Sequence, residues 1–388
     1  MNDARAENHL LHLLSLPGSS GQERQVADAI TTRLLEAGCD PDWIMEDDAH
    51  TRIPGDFEMG NLIVKLPGTI EGPRLMFSGH MDTVPLVRGA VPKKEGRRIV
   101  PEGNTALGAD NRTACAAILT LAEQLLTEGL PHPPMTLLFT VGEEIGLWGA
   151  KEVRPENLGY PDMGFNIDSG NPTEAIIGAI GAHRWKVGIT GVSAHAGVHP
   201  DHGVSAALIA SKGIADYAGQ GYFGLIEKDG KRGTSNVGTL QGGEATNQVT
   251  DQMSVTGESR SHDPDFLQEI TDAIETAFQT AAASVTNHKG VAGTTSFLRN
   301  EDYHAFRISE DEAVVHATAQ ALKDLGLPCS PQVTDGGLDA NFLNFKGIPT
   351  VTLGAGQHNP HTVDEYADLD EYLTCCRVLL RIVANTVA

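Results

Sequence analysis

The stretch Leu75-Met-Phe-Ser78-Gly-His80-Met-Asp82-Thr-Val-Pro85 decides how this chain is read. A short apolar run gives way at once to histidine and carboxylate. The run reads as a buried strand, and the polar residues after it mark the strand's carboxyl end, where open α/β sheets bind ligands. Similar apolar runs lie at Asn61 to Leu66, Leu137 to Val141 and Phe165 to Ile167, with a helical stretch from Thr113 to Leu126. An earlier helix is expected after Ser20-Gly-Gln-Glu23, which matches a capping box, with Val26, Ile30 and Leu34 at helical spacing and Gly38 as its stop. Strands alternating with helices predict an α/β fold, a mainly parallel sheet covered on both faces.

The texture changes near Gly181. The pattern predicts a strand (Arg184 to Thr190), a helix (Ser205 to Tyr217), two strands (Ser235 to Leu240, Gln252 to Glu258), a long helix and a last strand (Val291 to Leu298). The long helix opens at Asp263-Pro264, a cap followed by proline in the first turn, and carries Phe266, Ile270, Ile274 and Phe278. The order β-α-β-β-α-β is that of a ferredoxin-like α+β unit. After it the first pattern returns: a capped helix from Ser309 (with Glu312) to Gly326, a strand at Thr350 to Leu353, and a closing helix from Leu369. The expectation is a discontinuous domain, 1–180 and 305–388, interrupted by an inserted domain, 181–304.

A chain of 388 residues suits two or three domains of roughly 150 each. Its 51 acidic and 28 basic residues give a net charge of −23, which repels phosphate backbones and anionic membrane surfaces, so no nucleic acid or membrane partner is expected. No stretch approaches the roughly 20 apolar residues of a membrane span. The N-terminus does not read as a secretory signal. Cys39, Cys115, Cys329, Cys375 and Cys376 are scattered and lack a C-x-x-C pair, as in a reduced, cytoplasmic protein.

Chemistry gathers at the strand ends. His80 and Asp82 follow the first strand, Gly142-Glu143-Glu144 the next, and Asp168-Ser-Gly170 the third. Asp110-Asn111 opens the helix, and His358 and His361 follow the strand at Thr350. Taken singly each has a plain explanation. A histidine after a strand is ordinarily a hydrogen-bonded structural residue. A Glu pair is usually a solvated face, and Asp110 and Asp168 could be helix caps. Together they form a crowd of carboxylates that needs compensation, and a divalent cation supplies it. Imidazole and carboxylate without thiolate suit zinc, cobalt or manganese.

These segments, with Gly60 to Gly68, Ser193-Ala-His195-Ala-Gly, Gly242-Gly-Glu-Ala-Thr-Asn247, Gly336-Gly-Leu-Asp339-Ala-Asn and Pro360-His361-Thr-Val-Asp-Glu365, resemble the di-zinc metallopeptidases that include peptidase T, carboxypeptidase G and aminoacylase. The likeness runs over nearly the whole chain and is greatest to the peptidase T branch. It implies two divalent metal ions, most often Zn2+, with Co2+ or Mn2+ as alternatives. His80 and Asp168 would hold the first, Glu144 and His361 the second, and Asp110 would bridge them. Asp82 would hydrogen-bond His80, and Glu143 would be the general base. A cis peptide is implied at Asp110-Asn111. The inserted domain would act as a lid and dimerisation domain. It would supply His195 as the oxyanion donor, often across a homodimer, and Asn247 and Arg260 as substrate anchors. The plain alternatives are an exposed loop histidine for His195, a surface ion pair for Arg260 and a tight turn for Gly336-Gly337. His199 and His202 read as ordinary exposed polar residues.

The chain departs from the family pattern in places. Asn111 and Arg112 stand where Asp-Lys is common, Gly142 precedes the Glu pair, and Glu258-Ser259 precedes the arginine. The reading is metal-dependent hydrolysis of short peptides, releasing N-terminal residues from di- or tripeptides. An N-acyl amino acid amidohydrolase or a carboxypeptidase of the same family is the alternative, and a non-catalytic metal-binding scaffold a third reading. H-E-x-x-H, P-loop and G-x-S-x-G motifs do not occur.

Overall fold

In the computed structural model, which describes residues 1–386, the chain divides into two units. The first comprises Met1–Ala179, Arg307–Thr334 and the stretch from Leu338; the second comprises Ile180–Phe306 and Asp335–Gly337.

The first unit is built on a mixed sheet with a parallel centre. Leu75–His80 lies between Met135–Thr140 and Met163–Ser169, parallel to both, and Thr350–Gly354 continues the parallel run. Leu62–Leu66 joins antiparallel on one side, and Glu174–Ala179 joins antiparallel on the other. Every residue of Leu75–His80 and Met135–Thr140 is buried, as a central strand covered on both faces requires. Phe77 stacks on Phe165 with ring centroids 5.2 Å apart. The helix Ala109–Glu128 packs on this layer through Ala114, Ile118, Leu121 and Leu125. A Cβ on Gly79 would come within 2.6 Å of the Ala114 Cβ, so glycine lets that helix lie close at the strand's carboxyl end.

Two expected caps take other roles. The second helix is Arg24–Glu36, starting after Glu23, with no side-chain cap. Ser20 Oγ donates instead to Asp82 Oδ2 at 2.6 Å. Glu23 Oε1 accepts the amides of Gly21 and Gly142. The serine hydroxyl donates to a tertiary carboxylate and accepts no amide of the helix's first turn. The helix expected from Ser309 begins at Ala313, and Ser309 Oγ accepts the amide of Asp311.

The second unit has a five-stranded antiparallel sheet in the order Gly224–Lys228, Lys231–Gly242, Gln252–Ser261, Gly181–Thr190, Thr294–Tyr303. The last four are the ferredoxin-like arrangement read from the sequence. The fifth strand was not expected, although Asp229-Gly230 is a hairpin signal; both residues have positive φ, at 50° and 76°. Two helices, Ala206–Gly219 and Pro264–Ser284, pack on the sheet. The Asp263 side chain caps Pro264–Ser284 by accepting the Phe266 amide, and Phe266, Ile270, Ile274 and Phe278 are buried with Trp185, Val187 and Ile189. Among the described residues no helix is long and apolar enough to cross a membrane.

Candidate metal centre

Four loops leave the carboxyl ends of the first unit's sheet and meet there. His80 is the last residue of its strand, buried at 1% exposure. Its Nδ1 lies 3.0 Å from the Asp82 carbonyl oxygen and 3.4 Å from Asp82 Oδ1. His80 Nδ1 thus faces both the main-chain carbonyl and the expected carboxylate of Asp82. The carboxylate is occupied by other donors: Oδ1 takes the Glu143 amide at 3.0 Å, and Oδ2 takes the Glu144 amide at 3.2 Å and the Ser20 hydroxyl. Asp82 therefore ties the histidine turn to the Glu143-Glu144 turn, and it leaves His80 Nε2 free to face outward.

His80 Nε2 faces Asp110 Oδ1 at 3.1 Å and Asp168 Oδ1 at 3.8 Å. The other oxygen of Asp110, Oδ2, is 3.5 Å from His361 Nε2, which is 2.9 Å from Glu144 Oε2. Two ligand-like groups result, His80–Asp110–Asp168 and Asp110–Glu144–His361, and they share Asp110. Neither aspartate acts as a helix cap. Asp168 lies within its strand, and Asp110 has non-helical φ and ψ in the first turn of its helix, with a cis peptide to Asn111. Asn111 Nδ2 donates to the Ile167 carbonyl.

The electrostatics are those of crowded anions. Burial pushes Asp168 well above the usual carboxylate range, and Asp110 adds to the shift. Glu143 is likewise raised by burial, opposed by His80 and reinforced by Asp168, Asp339 and Glu144. Burial also raises Glu144, against the hydrogen bond from His361. Asp110 is buried too, but hydrogen bonds from His361 and His80 hold it below its ordinary value. Those bonds, with Asp110 first and Glu144 second, raise His361 to about 10. The two imidazolium rings supply positive charge that divalent cations would supply more fully. The donors fit such ions. They are imidazole and carboxylate throughout, and Glu144 Oε1 is buried without a hydrogen-bond partner among the described residues.

Three supporting residues carry no assigned role in the sequence reading. Glu365, 2% exposed, accepts the amides of Leu107, Gly108 and Asp110 at 2.7, 2.8 and 3.0 Å. Glu23 holds Gly142, the residue before the Glu pair. Asp339, from the Gly336-Gly-Leu segment, is buried, accepts the Thr140 hydroxyl and is raised to about 6 by burial. The sequence marks Glu365 only as the end of the Pro360-His361-Thr-Val-Asp-Glu365 segment, and its amide partners are visible only in the fold.

The remaining expected site residues belong to the second unit. His195 is exposed and pairs with Gln248 in a short bridge, and the Ala196 amide donates to the Asn247 carbonyl at 2.9 Å, so His195 and Asn247 stand on adjoining segments. Arg260 is half-buried and forms a two-bonded pair with Glu258, at 3.0 and 3.1 Å. His199 and His202 are exposed.

Comparison with known proteins follows the same residues. The chain is 30% identical over 384 residues to the uncharacterised protein YqjE of Bacillus subtilis, covering 99% of this chain and 98% of that one. It superposes on the aminopeptidase PepT of Bacillus cereus with a TM-score of 0.87 at 29% identity, over 100% of both chains. A tripeptidase of Staphylococcus aureus gives 0.88 at 31% identity, over 100% of this chain and 99% of that one. The model of peptidase family M20/M25/M40 matches residues 76–385, a span that carries His80, Asp110, Glu143, Glu144, Asp168 and His361. The chain belongs to this family, as a peptidase T-like metallopeptidase.

Proposed function

We propose that this protein is a two-metal aminopeptidase that releases the N-terminal residue of short peptides, chiefly di- and tripeptides. The observation that carries the reading is the Asp110 carboxylate, whose opposite oxygens face His80 and His361. His80, Asp110 and Asp168 would hold one divalent ion, and Asp110, Glu144 and His361 the other. Zn2+ is the first candidate, with Co2+ and Mn2+ compatible with the same donors. When bound, divalent ions held by these residues would supply Lewis-acid chemistry, lowering the pKa of water and polarising a carbonyl.

Glu143 is the group that moves protons. It adjoins a ligand without completing either triplet, and its Oε2 lies 3.9 Å from His80 Nε2. It takes a proton from the attacking water and returns it to the leaving amine, so the amine departs neutral. Asp82 fixes its main chain. In the second unit, which serves as the lid, His195 donates to the developing oxyanion. Asn247 and Arg260 bind the substrate's far end, Arg260 exchanging Glu258 for a peptide carboxylate. Assembly as a homodimer through the inserted unit and residence in the cytoplasm belong to the same reading. The B. cereus aminopeptidase supports release from the amino end, and the S. aureus tripeptidase supports a short-peptide substrate.

The test is a pair of assays on metal-loaded protein. A free-amine tripeptide is turned over and its N-acetylated form is not. Cleavage of the blocked peptide alone would instead establish the amidohydrolase alternative. Glu143→Ala retains both metals and loses roughly 10²–10⁴ in rate; unchanged turnover removes Glu143 from its role.

A further inference from the structure

The geometry points to a further cation site, made wholly from the second unit: His199, Asp201 and His202, with His288 packed on the His202 ring, bind a borderline divalent metal ion such as Zn2+. Two loops distant in sequence meet there. One is the turn at His199 and the short 3-10 helix Pro200–His202; the other is the turn around Asn287–Gly290. Main-chain bonds hold them together. The His288 amide donates to the Asp201 carbonyl at 2.9 Å, and Asn287 Nδ2 donates to the His202 carbonyl at 3.2 Å. The Asn287 side chain also fixes its own turn by accepting the amides of Lys289 and Val291.

This scaffold brings three imidazoles into one stack. The His199 and His202 rings lie 4.5 Å apart at 6°, and His288 stacks on His202 at 4.3 Å and 28°. Asp201 adds a carboxylate, and His288 Nδ1 lies 3.1 Å from the Asp201 carbonyl oxygen and 3.9 Å from its Oδ2. Ligand atoms of His199, Asp201 and His202 all lie within 4.8 Å of one another. Metal–ligand bonds of about 2.0–2.2 Å in a tetrahedron place such atoms roughly 3.3–3.5 Å apart, so these three exposed side chains need close by at most about 1.5 Å. Imidazole with one carboxylate favours zinc, nickel or copper over magnesium and calcium, which take oxygen ligands. The bound ion would also order the turn carrying His195, because the amides of Val198 and His199 both donate to the His195 carbonyl.

The experiment is a Zn2+ titration of the metal-loaded full-length protein, by calorimetry and by metal content after gel filtration. Wild type is expected to take up one equivalent more than His199→Ala/His202→Ala, whatever number the main centre holds. The readout is that difference, so failure of the two-metal reading does not affect it. A tenfold excess of Mg2+ should not displace the extra ion. His288→Ala leaves the other turn in place and should weaken the extra equivalent at least about tenfold, an independent reading should the double variant fold poorly. Equal uptake by all three proteins, or ready displacement by Mg2+, overturns the site.

Discussion

The Glu365 carboxylate accepts the backbone amide of Asp110 at 3.0 Å, so the chain's last acidic loop fixes the residue on which both halves of the metal centre depend. The same carboxylate holds the amides of Leu107 and Gly108. Replacing Glu365 with Ala leaves up to three amides short of an acceptor, at about 1–3 kcal/mol each if they stay dry. The expected result is a clear fall in melting temperature together with a 10–100-fold loss of metal affinity, the usual scale for groups that orient ligands. An unchanged melt and unchanged metal titration would show that the loop holds its shape without this anchor.

Asp110 itself separates one-metal from two-metal behaviour. Asp110→Ala should strip both ions on dialysis, whereas His361→Ala should strip the ion shared with Glu144 and leave the one facing Asp168. Metal content measured after identical dialysis checks this. Equal residual metal in the two variants would mean that Asp110 does not bridge.

Asp82 binds no metal in this reading, yet it collects the Glu143 and Glu144 amides and the Ser20 hydroxyl. Asp82→Asn turns a carboxylate that only accepts into an amide that meets these donors with a donor of its own. Metal affinity should fall roughly 10–100-fold. Ser20→Ala removes one hydrogen bond, worth about 1 kcal/mol, and should cost about fivefold. Titration with a chromophoric chelator measures both. A larger loss for Ser20→Ala than for Asp82→Asn would reverse the order argued here.

Glu23 makes stability depend on pH. Burial, then the nearby Asp82 charge, raises it from 4.5 to about 7. Its folded-state pKa lies above its unfolded value, so the folded chain binds the extra proton between these two values. This contribution is fully present below about 4.5 and is lost as pH rises to about 7, by up to about 3 kcal/mol. Glu23→Gln keeps an acceptor for Gly21 and Gly142 and should flatten that part of the profile. Denaturant unfolding at pH 5 and pH 8 measures the difference. A variant whose stability falls as steeply as wild type's would clear Glu23 of the effect.

Much of this architecture is legible in the sequence because the decisive strands are buried on both faces. Leu75-Met-Phe and Leu137-Leu-Phe can be little else, and polar residues directly after them must lie at the sheet's rim. The Asp263-Pro264 cap fixes the long helix just as clearly. What escapes reading is settled by tertiary competition. Ser20 and Glu23 fit a local cap, but each finds a better partner in a loop far along the chain. Ser330–Thr334, which contains Pro331 and is exposed at its three middle residues, lies away from the sheet's parallel centre, where apolar patterning is weak. Glu365 anchors Asp110 through main-chain amides, which leave no mark in the sequence.

The split of the first unit into segments before and after the insertion has a consequence for biosynthesis. His80, Asp110, Glu144 and Asp168 leave the ribosome together, while His361 waits for the whole inserted unit and more to be translated, on the order of ten seconds or longer at typical rates. A nascent chain therefore exposes one complete ligand triplet and one unfinished one. The second triplet, and any hydrolytic power that depends on it, can form only after the inserted unit and the segment carrying His361 have been made.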